Sequence, residues 1–320
     1  MEVFVPGRLC ILGEHTDWAG EYRADNAAVP VGVTVVCVTM EGLYARCNYC
    51  GPCYLKFECS SGNPLSDSPS LNVQLDKYQL QLLAKSDNFF SYIAGTVLAL
   101  MEVPVYDALL KQYGMHIDNY KTTLPMRKGL SSSAAVCVLV VRCFCELHRL
   151  EMPMSEVMEL AYQGEMNTLS RCGRMDQCVA MGRDRIGLME FNGPRSRLTL
   201  LNCPTNLYFV VADMKAGKDT VTILRCLNDC FPIPTGRTQH GMHIYARHNQ
   251  DIAFKAAIAI ETGDISSLAA AMNEAQTLFD SHVVQNCVTE LAAPALRRAL
   301  NNPTLRSLCL AAKGVGSQGD

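Results

Sequence analysis

The chain has 320 residues, with 49% hydrophobic and 18% charged residues and a formal net charge of -3. That length allows about two domains and a sizeable core, and the near-neutral charge gives no electrostatic reason to expect nucleic acid or an anionic membrane as a partner. No Lys/Arg-led apolar leader opens the chain and no apolar run approaches a membrane span, so the cytoplasm is the expected setting.

Val3 to Leu12 and Val31 to Met40 are apolar and β-branched, and read as strands. Leu43 to Phe57 is a weaker strand candidate. It holds Cys47-x-x-Cys50-x-x-Cys53, with Cys59 just beyond, a spacing that can ligate zinc or an iron–sulfur cluster. No second Cys or His pair follows, and sixteen scattered cysteines in a reducing compartment read mainly as small buried hydrophobes. Ser60 to Ser70, with Gly62, Pro64 and Pro69, is a polar loop. Phe90, Ile93, Val97 and Met101 recur at helical spacing within Asp87 to Met101. Met115 to Tyr120 reads as a strand.

Pro125-Met126-Arg127-Lys128-Gly129-Leu130-Ser131-Ser132-Ser133-Ala134-Ala135 then runs into the apolar segment Val136 to Val141. This pattern is a tight turn opening a buried helix, although the run Val138 to Val141 has strand propensity too. The first amides of such a helix have no intrahelical partner and sit at the positive end of its dipole, which suits phosphate. The serine hydroxyls could cap the helix, donate to phosphate or ligate a metal.

Pro153 to Glu156 starts a further helix, with Gly164-Glu165 near its end. Ile186 to Phe191 and Leu198 to Leu201 are strands around the turn Asn192-Gly193-Pro194. Leu207 to Ala212 reads as another strand, and the rest as mainly helical. The clearest helix follows Gly263, with Asp264 as its N-cap. A domain boundary is expected near residues 195–205.

Two further segments carry chemistry. After the first strand, Gly13-Glu14-His15-Thr16-Asp17-Trp18 packs polar groups into a turn, and its carboxylates can accept several hydroxyl hydrogen bonds from a polyhydroxylated ligand. A solvated loop is the alternative reading. Cys172-Gly173-Arg174-Met175-Asp176-Gln177 places an acid behind a glycine, and such an acid alone is more often a cap or a surface acid than a base.

Together these segments resemble the GHMP kinase superfamily. Pro6-Gly7-Arg8-Leu9-Cys10-Ile11-Leu12-Gly13-Glu14-His15-Thr16-Asp17-Trp18 is similar to the galactokinase signature, with Trp18 in place of a tyrosine. Pro125 to Ala135 resembles the superfamily's phosphate loop. Cys172 to Gln177 is similar to the galactokinase Cys-Gly-Ile-Met-Asp-Gln. Gly263 to Gln276 resembles a late Gly-Asp…Leu-Met-Asn-Glu helix, and Lys313-Gly314-Val315-Gly316-Ser317-Gln318-Gly319 the third, Gly-rich motif. Order and spacing agree over nearly the whole chain.

The resemblance implies an α+β, two-domain fold: a GHMP kinase ATP-binding domain over residues 1–200, like domain 2 of ribosomal protein S5, and a ferredoxin-like C-terminal domain over 201–320. It implies ATP and Mg²⁺. Gly129, Leu130, Ser131, Ser132, Ser133 and Ala134 would wrap the phosphates, and Ser133 (or Ser132) and Glu165 would hold the metal. Asp176 would orient or deprotonate the attacking hydroxyl, with Arg8 beside it. Glu14, His15, Asp17 and Gly173 would bind the substrate.

Four departures from galactokinases stand out. The stretch from Asp17 to Pro30 is longer and contains Arg23-Ala24-Asp25-Asn26, which bears on which sugar is bound. Arg127 and Lys128 occupy loop positions where small residues are usual. The segment from Glu165 to Asp176 is shorter. The sequence stops at Asp320, inside or just after the third motif, so an incomplete C-terminal domain is expected. The implied function is ATP-dependent phosphorylation of a small sugar at its anomeric hydroxyl. The alternatives are a sugar sensor or truncated pseudokinase without turnover and, more distantly, a mevalonate kinase, which usually lacks the acid at the Asp17 position.

Overall fold

The computed structural model describes residues 1–60, 70–126, 128–170 and 172–318. Gly62, Pro64 and Pro69 of the polar loop, Arg127 and Gly319 lie outside the described residues. The strands are β1 (Glu2–Leu12), β2 (Gly32–Asn48), β3 (Tyr54–Cys59), β4 (Leu71–Gln74), β5 (Met115–Thr122), β6 (Ile186–Asn192) and β7 (Arg195–Leu201). The α-helices are α1 (Thr16–Glu21), α2 (Lys77–Ala84), α3 (Phe90–Met101), α4 (Pro104–Tyr113), α5 (Ser132–His148) and α6 (Met154–Met166), followed by α7 (Thr220–Asn228), α8 (Arg237–Thr262), α9 (Ile265–His282), α10 (Val288–Leu291), α11 (Pro294–Leu300) and α12 (Pro303–Leu308).

The chain divides into two compact units whose segments interleave. The first holds residues 1–8, 38–172 and 176–184; the second holds 9–37, 173–175 and 185–320. β1 and β2 are long enough to contribute to both.

In the first unit the far half of β2 pairs antiparallel with β5, β5 pairs parallel with β3, and β3 pairs antiparallel with β4. Helix α5 is buried along nearly its whole length from Ala134 to Leu147. Its run Val138 to Val141 is helical despite the β-branched side chains, because every face of the segment is enclosed and a helix satisfies its own backbone there. Among the described residues no single helix is long and apolar enough to cross a membrane.

In the second unit the near half of β2 pairs antiparallel with β6, and β6 with β7 across Gly193-Pro194, where Asn192 pairs with Arg195. Trp18, Ile223, Leu227, Phe231, Met242, Tyr245, Phe279 and Leu291 fill its main helical core. Asp264 caps α9 by accepting from the Ser267 amide at 3.0 Å, as its place after Gly263 predicts.

Two local expectations are corrected. Residues 207–212 form no strand; Tyr208 is 88% and Val210 97% exposed. Strand propensity is realised only against a hydrogen-bonded neighbour, and among the described residues no strand pairs with this segment. Pro153 is the N-cap of α6 rather than part of its first turn.

Candidate active site

In the first unit, the turn before α5 brings Ser131 into the left-handed region at φ 59° as the N-cap residue. Its side chain does not cap the helix. Its hydroxyl is buried and has no hydrogen-bond partner among the described residues, an orphaned donor beside the helix's first amides.

Arg8, near the middle of β1, ties this turn to the acid. Its backbone N–H donates to the Leu130 carbonyl at 3.1 Å, and Nη1 donates to the Gly129 carbonyl at 2.8 Å. Nε and Nη2 both donate to Asp176 Oδ1, at 3.0 and 2.6 Å. The Arg8 side chain is 6% exposed and that of Asp176 21%. Asp176 therefore stands with one oxygen held and Oδ2 without a hydrogen bond among the described residues.

Glu165, on the last turn of α6, is buried in the same unit. Burial and then the charge of Asp176 push its carboxyl up to about 7, against hydrogen bonds from Ser133, Cys172 and Gln177. Gln177 Nε2 donates to Glu165 Oε2 at 3.1 Å, and Gln177 Oε1 is buried without a partner among the described residues. The donor set of a carboxylate and a serine hydroxyl, with orphaned oxygens on Ser131 and Gln177, is hard and oxygen-rich, which fits Mg²⁺.

The second unit holds the other predicted cluster. Gly13, at φ +98°, lets the chain turn against Val33; a Cβ there would overlap the Val33 carbonyl. The Thr16 hydroxyl fixes this turn, lying 2.8 Å from the Gly13 carbonyl and 3.0 Å from that of Val33. His15 follows in the left-handed region at φ 67°. Trp18 Nε1 donates to His15 Nδ1 at 3.3 Å, so Nε2 carries the proton and donates to the Ser317 carbonyl at 3.2 Å. Burial holds this imidazole below its ordinary pKa, and both ring nitrogens have protein partners.

Glu14 is ion-paired with Lys313 of the Gly-rich segment, and its carbonyl accepts from Tyr245 at 2.9 Å. Gly173 packs directly on Asp17, where a Cβ would overlap Oδ2. The inserted Arg23 is used locally: it donates to Asn192 Oδ1 at 2.7 Å, to the Ala27 carbonyl at 3.1 Å and to the Val29 carbonyl.

The structure thus brings Arg8, Gly129, Leu130 and Asp176 together, joins Glu165 to Ser133, and groups Glu14, His15, Asp17 and Gly173. It does not gather the cysteine group. The free Cys47 thiol hydrogen-bonds with that of Cys143, Cys50 donates to the Tyr54 carbonyl at 3.3 Å, and Cys53 to that of Lys111 at 3.4 Å. Sequence reasoning missed Lys313 and Gln177, which it read only as motif letters. The one available signal for Lys313 was a lone charge between an apolar run and a glycine-rich turn.

Residues 91–183 match the family model for the GHMP kinase N-terminal domain. The galactokinase of Thermotoga petrophila is 27% identical over 183 residues, covering 55% of this chain and 42% of that protein. The matched stretch is thus under half of such a relative's length. The galactokinase of Clostridium acetobutylicum is 23% identical over 98% of this chain and 79% of its own. Among solved structures, Lactococcus lactis galactokinase complexed with galactose aligns with a TM-score of 0.67 at 17% identity, covering 99% of this chain and 83% of that one. Methanococcus jannaschii mevalonate kinase aligns at 0.66 and 13% identity, covering 100% and 88%. At those identities the structural likeness speaks for the fold, which sugar and mevalonate kinases share. Residues 91–183 thus match the GHMP kinase N-terminal domain, and the chain as a whole is similar to galactokinases in sequence and to GHMP kinases in fold.

Proposed function

We propose that the protein phosphorylates a small sugar from ATP, at the anomeric hydroxyl. The observation that carries this reading is Arg8, whose guanidinium holds the Gly129 carbonyl of the phosphate loop and Asp176 Oδ1 at once. That contact sets the acid at a fixed offset from the loop, which is what in-line phosphoryl transfer demands.

The roles follow from the donor sets. The first amides of α5 and the hydroxyls of Ser131, Ser132 and Ser133 hold the phosphates of ATP, with Leu130 and Ala134 leaving room for a close approach. Ser133 and Glu165 would hold Mg²⁺, which offsets phosphate charge when bound. Asp176 Oδ2, left free by Arg8, orients the attacking hydroxyl and accepts its proton as the phosphoryl group moves to the sugar oxygen. Arg8 places positive charge beside that oxygen. Glu14 and Asp17 accept hydrogen bonds from the remaining hydroxyls, which favours a polyol over mevalonate. His15, with both nitrogens engaged, acts by holding Trp18 and the Ser317 carbonyl in place.

ADP release with Mg-ATP across a panel of monosaccharides and mevalonate tests this reading. Turnover with one sugar is expected. Silence across the panel, with a sugar still raising the melting temperature, would instead identify a sensor.

Gly173→Ala supplies a finer check. The added methyl displaces the Asp17 carboxylate, and losing one charge-assisted hydrogen bond should raise the sugar KM roughly 10- to 100-fold. The KM for Mg-ATP should stay within about twofold. A normal sugar KM in a folded variant would remove Asp17 from the substrate site.

A further inference from the structure

Lys313 is the buried charge of the second unit that this mechanism does not use. Its ammonium donates to the Glu14 carboxylate and, at 2.7 Å, to the Gly314 carbonyl. The two side chains of the pair are only 3% and 2% exposed. An ammonium has three N–H bonds, and the third finds no acceptor among the described residues. Leaving a donor of a buried charge unpaired is costly, so a third acceptor would stabilise this ammonium.

The placement of Lys313 is fixed from several sides. The next residue's amide, Gly314 N–H, donates to Gln276 Oε1 on α9 at 2.8 Å. The Ser317 carbonyl of the same segment accepts from His15. The Glu14 backbone is held by Tyr245. Lys313 is therefore presented to the hydroxyl-binding cluster by a built support rather than by a loose side chain.

The chemistry of that cluster is otherwise one-sided. Ionised Glu14 and Asp17 only accept, and His15 has no nitrogen to spare. Such a site could select hydroxyl hydrogens but could not read an oxygen as an acceptor. We propose that Lys313 is a specificity-determining residue of this cluster, its third N–H donating to a sugar oxygen while Glu14 and Asp17 accept from sugar hydroxyls. This rests on the sugar-kinase reading above. It also narrows the ligand: one ammonium against two carboxylates suits a neutral polyol, not a sugar phosphate or uronate.

The test is a specificity cycle on the full-length protein. The turned-over sugar and its monodeoxy analogues are compared in wild type and Lys313→Met, with KM for Mg-ATP and melting temperature recorded. In wild type, a site built to hydrogen-bond a hydroxyl should reject one analogue by on the order of 100-fold or more in kcat/KM. In Lys313→Met that rejection should shrink to below about tenfold, with sugar KM raised and the KM for Mg-ATP within about twofold.

Breaking a buried pair can unfold the chain. In that case the double variant Glu14→Gln/Lys313→Met, which leaves no unpaired charge, is compared with Lys313→Arg, which keeps the pair and a spare donor; the rejection should vanish in the first and survive in the second. A folded variant without Lys313 that ranks the analogues as its parent does would overturn the assignment and leave Lys313 a purely structural role. If wild type turns over no sugar and no sugar raises its melting temperature, the sugar-kinase reading itself fails, and this assignment with it.

Discussion

Asp176→Asn is expected to lower kcat by roughly 100- to 10,000-fold, the range for loss of a positioned general base. The substitution keeps size and shape. The Asn carbonyl can still accept from Arg8 Nε and Nη2, so the link from Arg8 to the Gly129 carbonyl survives. What changes is the atom opposite: Oδ2, now an acceptor without a protein partner, becomes an amide NH2 that cannot take a proton. The loss should fall on kcat, with KM for Mg-ATP and melting temperature close to wild type, because the phosphate loop and the fold do not depend on that atom. Steady-state ADP release and a thermal melt check both at once. Undiminished turnover in the variant would sink the assignment of Asp176 as base. A sensor would show no change in its sugar-dependent melting shift, since no proton has to move.

The segments proposed for the site could be singled out in the sequence because phosphate and hydroxyl chemistry restricts residue type. The turn into α5 was readable because Gly129 and the small residues Ser131 to Ala135 run straight into an apolar helix. The cap of α9 and the β6–β7 hairpin were readable for the same reason, since their signals lie within a few residues. What escaped is non-local. Lys313 and Glu14 are separated by 299 positions, so no window contains both. The left-handed His15 shows only as a polar letter, yet its tautomer is set by Trp18 on one side and Ser317 on the other. Leu207 to Ala212 misled in the opposite way. Its local pattern is that of a strand, but a ladder needs a neighbour and the described chain provides none. The interleaving of the two units is equally hidden, because β1 and β2 are each continuous strands that cross from one unit to the other.

Glu165 makes the second large prediction, and its sign can be worked out. Its carboxyl titrates at about 7 in the folded protein, against 4.5 for the ordinary group. Between those values the folded state keeps a proton that the unfolded state has released. Stability from this group is therefore full below about pH 4.5 and is lost as pH rises to about 7, on the order of 3 kcal/mol in all. Melting temperature without nucleotide or metal should fall by several degrees over that window. Glu165→Gln, which cannot ionise, should flatten that part of the profile.

Mg-ADP should do the same at neutral pH, since a cation beside the carboxylate favours its ionised form and binding then releases a proton. The KM for Mg-ATP should accordingly rise as pH is lowered from 7.5 to 6. The two carboxyls are linked as well. Because the charge of Asp176 helps to raise Glu165, Asp176→Asn should move the Glu165 midpoint to lower pH. Identical melting profiles for wild type and Glu165→Gln from pH 5 to 8 would contradict this account. A midpoint unmoved in Asp176→Asn would leave burial alone as the cause of the raised Glu165 value.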